Sequence, residues 1–206
     1  MSLSPAPPLS SAVSSSDTPA STRIAAIQTV SGPDVEQNLQ TVARLVAEAA
    51  AAGARLVALP EYFSLITADE QAKVRVREAD GSGPQQDFLA ELAQRHEVWL
   101  VGGTIPLMAD AEGKVRNTTL VFDAQGERVA RYDKVHLFSF QRGGERYEEA
   151  ATIEPGSTVC AFDSPLGRIG LSVCYDLRFP ELYRALGTVD LIIVPAAFTY
   201  TTGRAH

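Results

Sequence analysis

Arg168-Ile-Gly-Leu-Ser-Val-Cys174-Tyr-Asp-Leu-Arg-Phe-Pro180-Glu-Leu-Tyr-Arg-Ala-Leu186 is the stretch that organises this chain. Residues 168–173 read as an apolar strand that delivers Cys174 at its end. Pro180 suits the first turn of a helix, where the amide it lacks would have no partner anyway, and that helix runs to about Leu186. Asp190-Leu-Ile-Ile-Val194 follows as another strand. A strand, a turn, a helix and a strand in succession are the alternation of an α/β fold. The junction also exposes the side chain at the strand end and leaves backbone N–H groups nearby without partners.

The same alternation extends upstream. Residues 24–28 read as a buried strand. Asp34 and Gln37 have the spacing of a capping box, Leu39, Val42, Ala43, Val46, Ala47 and Ala50 follow helical periodicity, and Gly53 is a plausible stop. Arg55–Leu59 is the next strand and ends at Pro60-Glu61; a helix starting at Pro84 would bury Phe88, Leu89, Leu92 and Ala93. Val98 to Thr104 reads as a strand running through Gly102-Gly103. Residues 117–122 and 128–132 flank Asp123-Ala-Gln-Gly126 as a hairpin, and residues 158–162 pair in the same way with 168–173 around Ser164-Pro-Leu-Gly167. The class is therefore α/β with both parallel and hairpin connections, and the pattern leaves open whether there is one sheet or two.

Composition narrows the function. A net charge of −7 argues against nucleic acid, whose phosphates need a basic face. No apolar run approaches the ~18 residues of a membrane helix. Cys160 and Cys174 are the only cysteines, too few for a disulfide framework in a chain of 206 residues, so a reducing, cytoplasmic setting is expected. Residues 1–22 are mostly Ser, Pro, Ala and Thr and are expected to form a disordered leader, leaving 23–206 as one domain. The leader lacks the basic start and apolar stretch of a secretory signal, and Arg23 is its first arginine.

Three strand ends carry reactive side chains. Cys174 is either a thiolate nucleophile, with turn amides ready to hold an oxyanion, or a buried strand cysteine. Glu61, beside Tyr62 and Phe63, is either a buried proton shuttle or a solvated glutamate. Lys134, in Tyr132-Asp-Lys-Val-His136-Leu-Phe138, is either an oxyanion stabiliser or an edge-strand charge. Each reading stays open when its residue is taken alone.

Taken together, Leu59-Pro-Glu61, Asp133-Lys-Val-His-Leu-Phe138 and Cys174-Tyr-Asp-Leu-Arg-Phe-Pro-Glu181, in this order, resemble the nitrilase superfamily of carbon–nitrogen hydrolases. The resemblance covers about residue 23 to the end. It implies a four-layer α-β-β-α sandwich and a Glu-Lys-Cys site. On this chain Glu61 would be the general base, Lys134 the oxyanion stabiliser, Cys174 the nucleophile, and the Tyr175 N–H a further oxyanion donor. A second glutamate precedes a Thr-(Leu/Ile)-x-Pro-Gly segment in these enzymes. Here that segment is Thr152-Ile-Glu-Pro-Gly156, which selects Glu149, with Glu148 as its rival. His136 is then assigned to packing, and Asp176 to tying its loop together. No cofactor is implied, and no Cys/His spacing resembles a metal site.

Phe138-Ser-Phe-Gln-Arg-Gly-Gly144 and Ala197-Phe-Thr-Tyr-Thr-Thr-Gly203 point to the ω-amidase and deaminated glutathione amidase branch, whose substrates are small amides bearing a carboxylate. Arg178 could grip that carboxylate with a bidentate fork or could pair with Asp176 or Glu181, and Thr202 could add a hydroxyl. A nitrile substrate is the enzymatic alternative. Members of the superfamily continue past the point where His206 ends this chain, so a C-terminal part is expected to be missing. With that part present a homodimer or larger homo-oligomer is expected; an inactive truncated paralogue or assembly subunit is the non-enzymatic alternative.

Overall fold

The structure is a computed structural model that describes residues 22–142, 145–198 and 200–204, with the backbone alone at 142, 145, 146, 201 and 202. Its larger sheet contains β1 (Arg23–Ala26), β2 (Ala54–Ala58), β3 (Trp99–Val101), β4 (Ile105–Met108), β5 (Val115–Phe122) and β6 (Arg128–Asp133). β1, β2 and β3 are parallel, whereas β4, β5 and β6 form antiparallel pairs. The parallel strands are joined by helical crossovers: α1 (Val35–Ala51) between β1 and β2, then α2 (Ala72–Arg75) and α3 (Pro84–His96) before β3. α1 starts where Asp34 accepts the Gln37 amide at 3.1 Å, and α3 starts at Pro84, as the spacing and the proline predict.

Farther along come the hairpin β7 (Ser139–Arg142) and β8 (Glu145–Glu148), then a second sheet of β9 (Cys160–Ser164), β10 (Gly167–Leu171) and β11 (Leu191–Ile193). α4 (Pro180–Ala185) connects β10 to its parallel neighbour β11, and α5 (Tyr200–Gly203) closes the described chain.

Side-chain alternation along the strands produces four layers. Val57, Leu59, Leu100, Leu120 and Phe122 pack against Val42 and Val46 of α1 and Leu89, Leu92 and Ala93 of α3. Their sequence neighbours Leu56, Val101 and Val121 point to the opposite face and meet Ile169 and Leu171 of the second sheet. Gly170, between those two, faces α4 so closely that a Cβ there would lie 2.9 Å from Leu186. The order is helices, sheet, sheet, helix: the α-β-β-α sandwich, with one apolar core between the larger sheet and its helices and another between the sheets. Both faces of the central strands are buried, which explains their unbroken apolar runs.

Two expectations need correction. The first strand is not buried: β1 lies at the sheet edge, and Ile24 is 45% exposed. Nor is Val98–Thr104 one strand. β3 stops at Val101, the chain turns at Gly102-Gly103, and β4 begins at Ile105. Gly103 has φ 38°, and a Cβ on it would lie 2.1 Å from the Pro60 carbonyl oxygen. The turn thus presses directly on the segment that carries Glu61. Gly103→Ala is expected to destabilise the protein by about 2–3 kcal/mol, measured by denaturant unfolding, because neither backbone can yield without displacing the other.

Candidate active site

Glu61, Lys134 and Cys174 each follow a strand of the inner layers, β2, β6 and β10, and the sandwich brings these strand ends together. Backbone strain marks two of them. Tyr62, beside Glu61, has φ 54°, and Cys174 has φ 48°, in the left-handed region that non-glycine residues avoid. The Tyr62 amide donates to Thr104 Oγ1 at 2.8 Å, locking the turn after Glu61 onto the Gly102–Thr104 turn. The Cys174 amide donates to the Pro195 carbonyl at 2.9 Å, so the chain leaving β11 holds the start of the turn that follows Cys174.

Lys134 is the centre of the cluster and is 1% exposed. Its Nζ donates to Glu61 Oε1 at 2.9 Å and to Glu149 Oε2 and Oε1 at 2.9 and 3.1 Å. Glu61 also accepts from Asn117 Nδ2 at 2.9 Å and from the Ala197 amide at 3.0 Å. Glu149 also accepts from the Tyr62 hydroxyl and the Phe138 amide, both at 2.8 Å. The thiol of Cys174 lies close enough to Glu61, Lys134 and the Ala197 amide to feel each of them electrostatically.

These contacts set the electrostatics. Burial raises the Glu61 carboxyl above the usual range; Lys134 opposes that rise and Glu149 reinforces it. Burial works to lower the Lys134 ammonium, but Glu61 and Glu149 outweigh it and hold the group above its ordinary value, so it stays charged. The Cys174 thiol is pushed up to about 12 by burial and then by Glu61, with Lys134 pulling the other way. A thiol so placed is protonated at neutral pH and needs a base to become a nucleophile. Glu61, the carboxylate beside it, is the group in position.

Of the two glutamates before Thr152, Glu149 is the one that reaches Lys134. Glu148 lines an open cleft of about 720 Å³ with Thr67, Ala68, Glu70, Tyr147 and Ala151. Tyr147 connects the cleft to the cluster: burial, then the charges of Glu149, Glu70, Glu61 and Cys174, raise its hydroxyl's pKa. His136 packs flat on Phe179, with ring centroids 3.6 Å apart. Asp176 is buried and bonded to Tyr132, His136 and Val173. Tyr175 is half-buried and edge-on to Phe138 and Phe179. Arg178 lies exposed in the same turn, and the side chain of Thr202 lies outside the described residues. Among the described residues no group of three or more His, Cys, Asp or Glu could hold a metal ion, and no helix is long and apolar enough to cross a membrane.

The carbon–nitrogen hydrolase model matches residues 23–206. The chain belongs to this family, within the nitrilase superfamily. It is 37% identical over 188 residues to a deaminated glutathione amidase of Yersinia enterocolitica, covering 89% of this chain and 65% of that protein. It is 41% identical to a deaminated glutathione amidase of Synechocystis, covering 88% and 68%, and 35% identical to an omega-amidase of Homo sapiens, covering 89% and 66%. The chain thus spans about two thirds of the length of these relatives. Saccharomyces cerevisiae Nit3, a member of branch 10 of the nitrilase superfamily, superposes with a TM-score of 0.72 at 33% identity, over 85% of this chain and 64% of that one. An amidase from Nesterenkonia sp. gives 0.72 at 29%, over 86% and 65%.

Sequence reasoning passed over Asn117 and Tyr62, which touch the two carboxylates directly. The signal for Asn117 was available: Asn117-Thr-Thr119 is a polar run inside an otherwise apolar strand, and all three residues are buried. Tyr62 was noticed only as an aromatic neighbour of Glu61.

Proposed function

We propose that this chain is a cysteine-dependent amidase that hydrolyses the C–N bond of a small carboxylate-bearing amide and releases ammonia. The observation that carries the reading is the buried Glu61–Lys134–Glu149 cluster set against the Cys174 thiol. Glu61 takes the thiol proton as sulfur attacks the amide carbon. Lys134 and the Tyr175 N–H hold the oxygen of the tetrahedral intermediate, where charge develops. Glu61 returns the proton to the departing ammonia, leaving a thioester. Water activated by the same carboxylate frees the acid and restores the thiol. Glu149 keeps Lys134 aimed and charged and orients the substrate nitrogen.

Support comes from the relatives. Deaminated glutathione amidases and omega-amidases are similar over most of this chain. In a variant of the similar Nesterenkonia sp. AN1 amidase, acrylamide has added to the active-site cysteine. Arg178, exposed in the turn after Cys174, is assigned to the substrate carboxylate, with Thr202 as a further donor. Two free thiols fit a reducing cytoplasm.

The test is ammonia release from a panel of short carboxylated amides and the matching nitriles, with Cys174→Ala alongside. Release from the amides that vanishes in the variant is the expected result. Release confined to the nitriles would reassign the protein as a nitrilase, and release undiminished in Cys174→Ala would overturn the mechanism.

A further inference from the structure

Asp176 lies two residues beyond Cys174, is fully buried, and takes four hydrogen bonds, two on each oxygen. Oδ1 accepts from the His136 amide at 2.9 Å and from His136 Nδ1 at 2.7 Å. Oδ2 accepts from the Tyr132 hydroxyl at 2.6 Å and the Val173 amide at 2.9 Å. Tyr132 and His136 stand two residues before and two after Lys134, and Val173 immediately precedes Cys174. One carboxylate therefore joins the nucleophile's turn to both sides of the lysine. The stack of His136 on Phe179 adds a second contact between the same two segments. Across the strand, the Lys134 amide donates to Asn117 O at 2.9 Å, and the Lys134 carbonyl accepts from Gly156 N at 2.8 Å. The lysine backbone is thus fixed to neighbouring chain, and the Asp176 contacts set where the Cys174 turn lies relative to it.

We propose that Asp176 is a positioning residue that fixes the separation and orientation of Cys174 and Lys134, acting through Tyr132, His136 and Val173. The proposal rests on the reading that Cys174 and Lys134 act in one reaction. It follows from the backbone donors: the His136 amide faces one oxygen and the Val173 amide the other, and only a carboxylate offers acceptors on both of its ends. His136 accordingly carries its proton on Nδ1. An asparagine has the same shape but turns an amide toward one pair of donors. On one side the Val173 N–H would lose its acceptor, and on the other the His136 N–H would. Neither backbone group can rotate away, so the turn must shift.

Asp176→Asn and Tyr132→Phe test this in the full chain, well below the unfolding temperature of each. Two quantities are measured: kcat and KM on the best amide, and the rate of Cys174 alkylation by iodoacetamide, with Cys160 as the internal reference. Asp176→Asn is expected to lower kcat about 100-fold with KM within about threefold, because a displacement of an ångström suffices for such a loss. Tyr132→Phe, which removes one of the four bonds, should lower kcat about fivefold. Cys174 alkylation should slow relative to Cys160 in both, since the thiol is less well served by its base and its cation. A turn that had merely loosened would instead expose this buried thiol and speed its alkylation. Faster alkylation, or an unchanged kcat in folded Asp176→Asn, overturns the proposal. If Asp176→Asn does not fold, Tyr132→Phe decides: lower kcat at constant KM supports it, and unchanged kcat overturns it. If the wild type turns over no amide, the amidase reading fails by itself, and the alkylation comparison still decides the role of Asp176.

Discussion

Cys174→Ser is expected to lower ammonia release by about four orders of magnitude or more while shifting the unfolding midpoint by no more than about 3 °C. The fold should tolerate the exchange because the side chain is small and a hydroxyl can donate to the neighbouring Glu61. The left-handed backbone at this position is held by the Pro195 carbonyl and the Asp176 contacts rather than by sulfur. Chemistry should not tolerate it. A hydroxyl is a far weaker acid than a thiol and a poorer nucleophile, and the same burial that pushes the thiol up to about 12 penalises an alkoxide as well. Ammonia assays and thermal unfolding monitored by circular dichroism check the two halves separately. Near-normal release from a well-folded serine variant would show that Cys174 is not the nucleophile.

Glu61 and Cys174 were legible because each stands where an apolar run stops, and Lys134 because it follows the second strand of a hairpin. Strand ends are detectable in a sequence, and a reactive side chain at one of them is informative when three recur in a known order. What pattern could not supply was convergence. Nothing local to Leu59-Pro-Glu61 says that its carboxylate meets Lys134 from β6 rather than solvent; that depends on how two strands sit in one sheet. The choice between Glu148 and Glu149 rested on a motif register, and the structure places the second of them on Lys134 at 2.9 Å. The hairpin of β7 and β8 was missed because Ser139–Glu148 is polar and has no clear alternation, so its pairing is not written in hydrophobicity. The edge position of β1 escaped for the opposite reason: Ile24-Ala-Ala-Ile27 has the composition of a buried strand, and only the sheet order shows that one side has no neighbouring strand among the described residues.

Lys134→Met separates the energetic role of the cluster from its chemical role. The wild-type cluster sets two buried carboxyl groups against one ammonium. Methionine fills similar space but leaves Glu61 and Glu149 facing each other without a cation. Loss of one partner from a buried ion pair costs about 3–5 kcal/mol, and that destabilisation is expected here at pH 8. The sign of its pH dependence follows from the carboxyl groups. Glu61 is already raised above 4.5 by burial, with Lys134 opposing the rise, so losing the lysine raises it further. A carboxyl whose folded pKa lies above its unfolded value costs stability when ionised. That cost vanishes below the unfolded value and returns as pH rises through the folded one. The gap in unfolding temperature between wild type and Lys134→Met should therefore be widest at pH 8 and shrink toward pH 5. Glu61→Gln makes the contrast: it leaves Lys134 paired one-to-one with Glu149, so turnover should be lost at a smaller cost in stability than Lys134→Met, that of turning an amide toward one of the donors on Glu61. Equal stabilities of wild type and Lys134→Met at pH 8 would mean that the two carboxylates are not ionised together, and if the shared proton sits on Glu61 the thiol proton would need a different base.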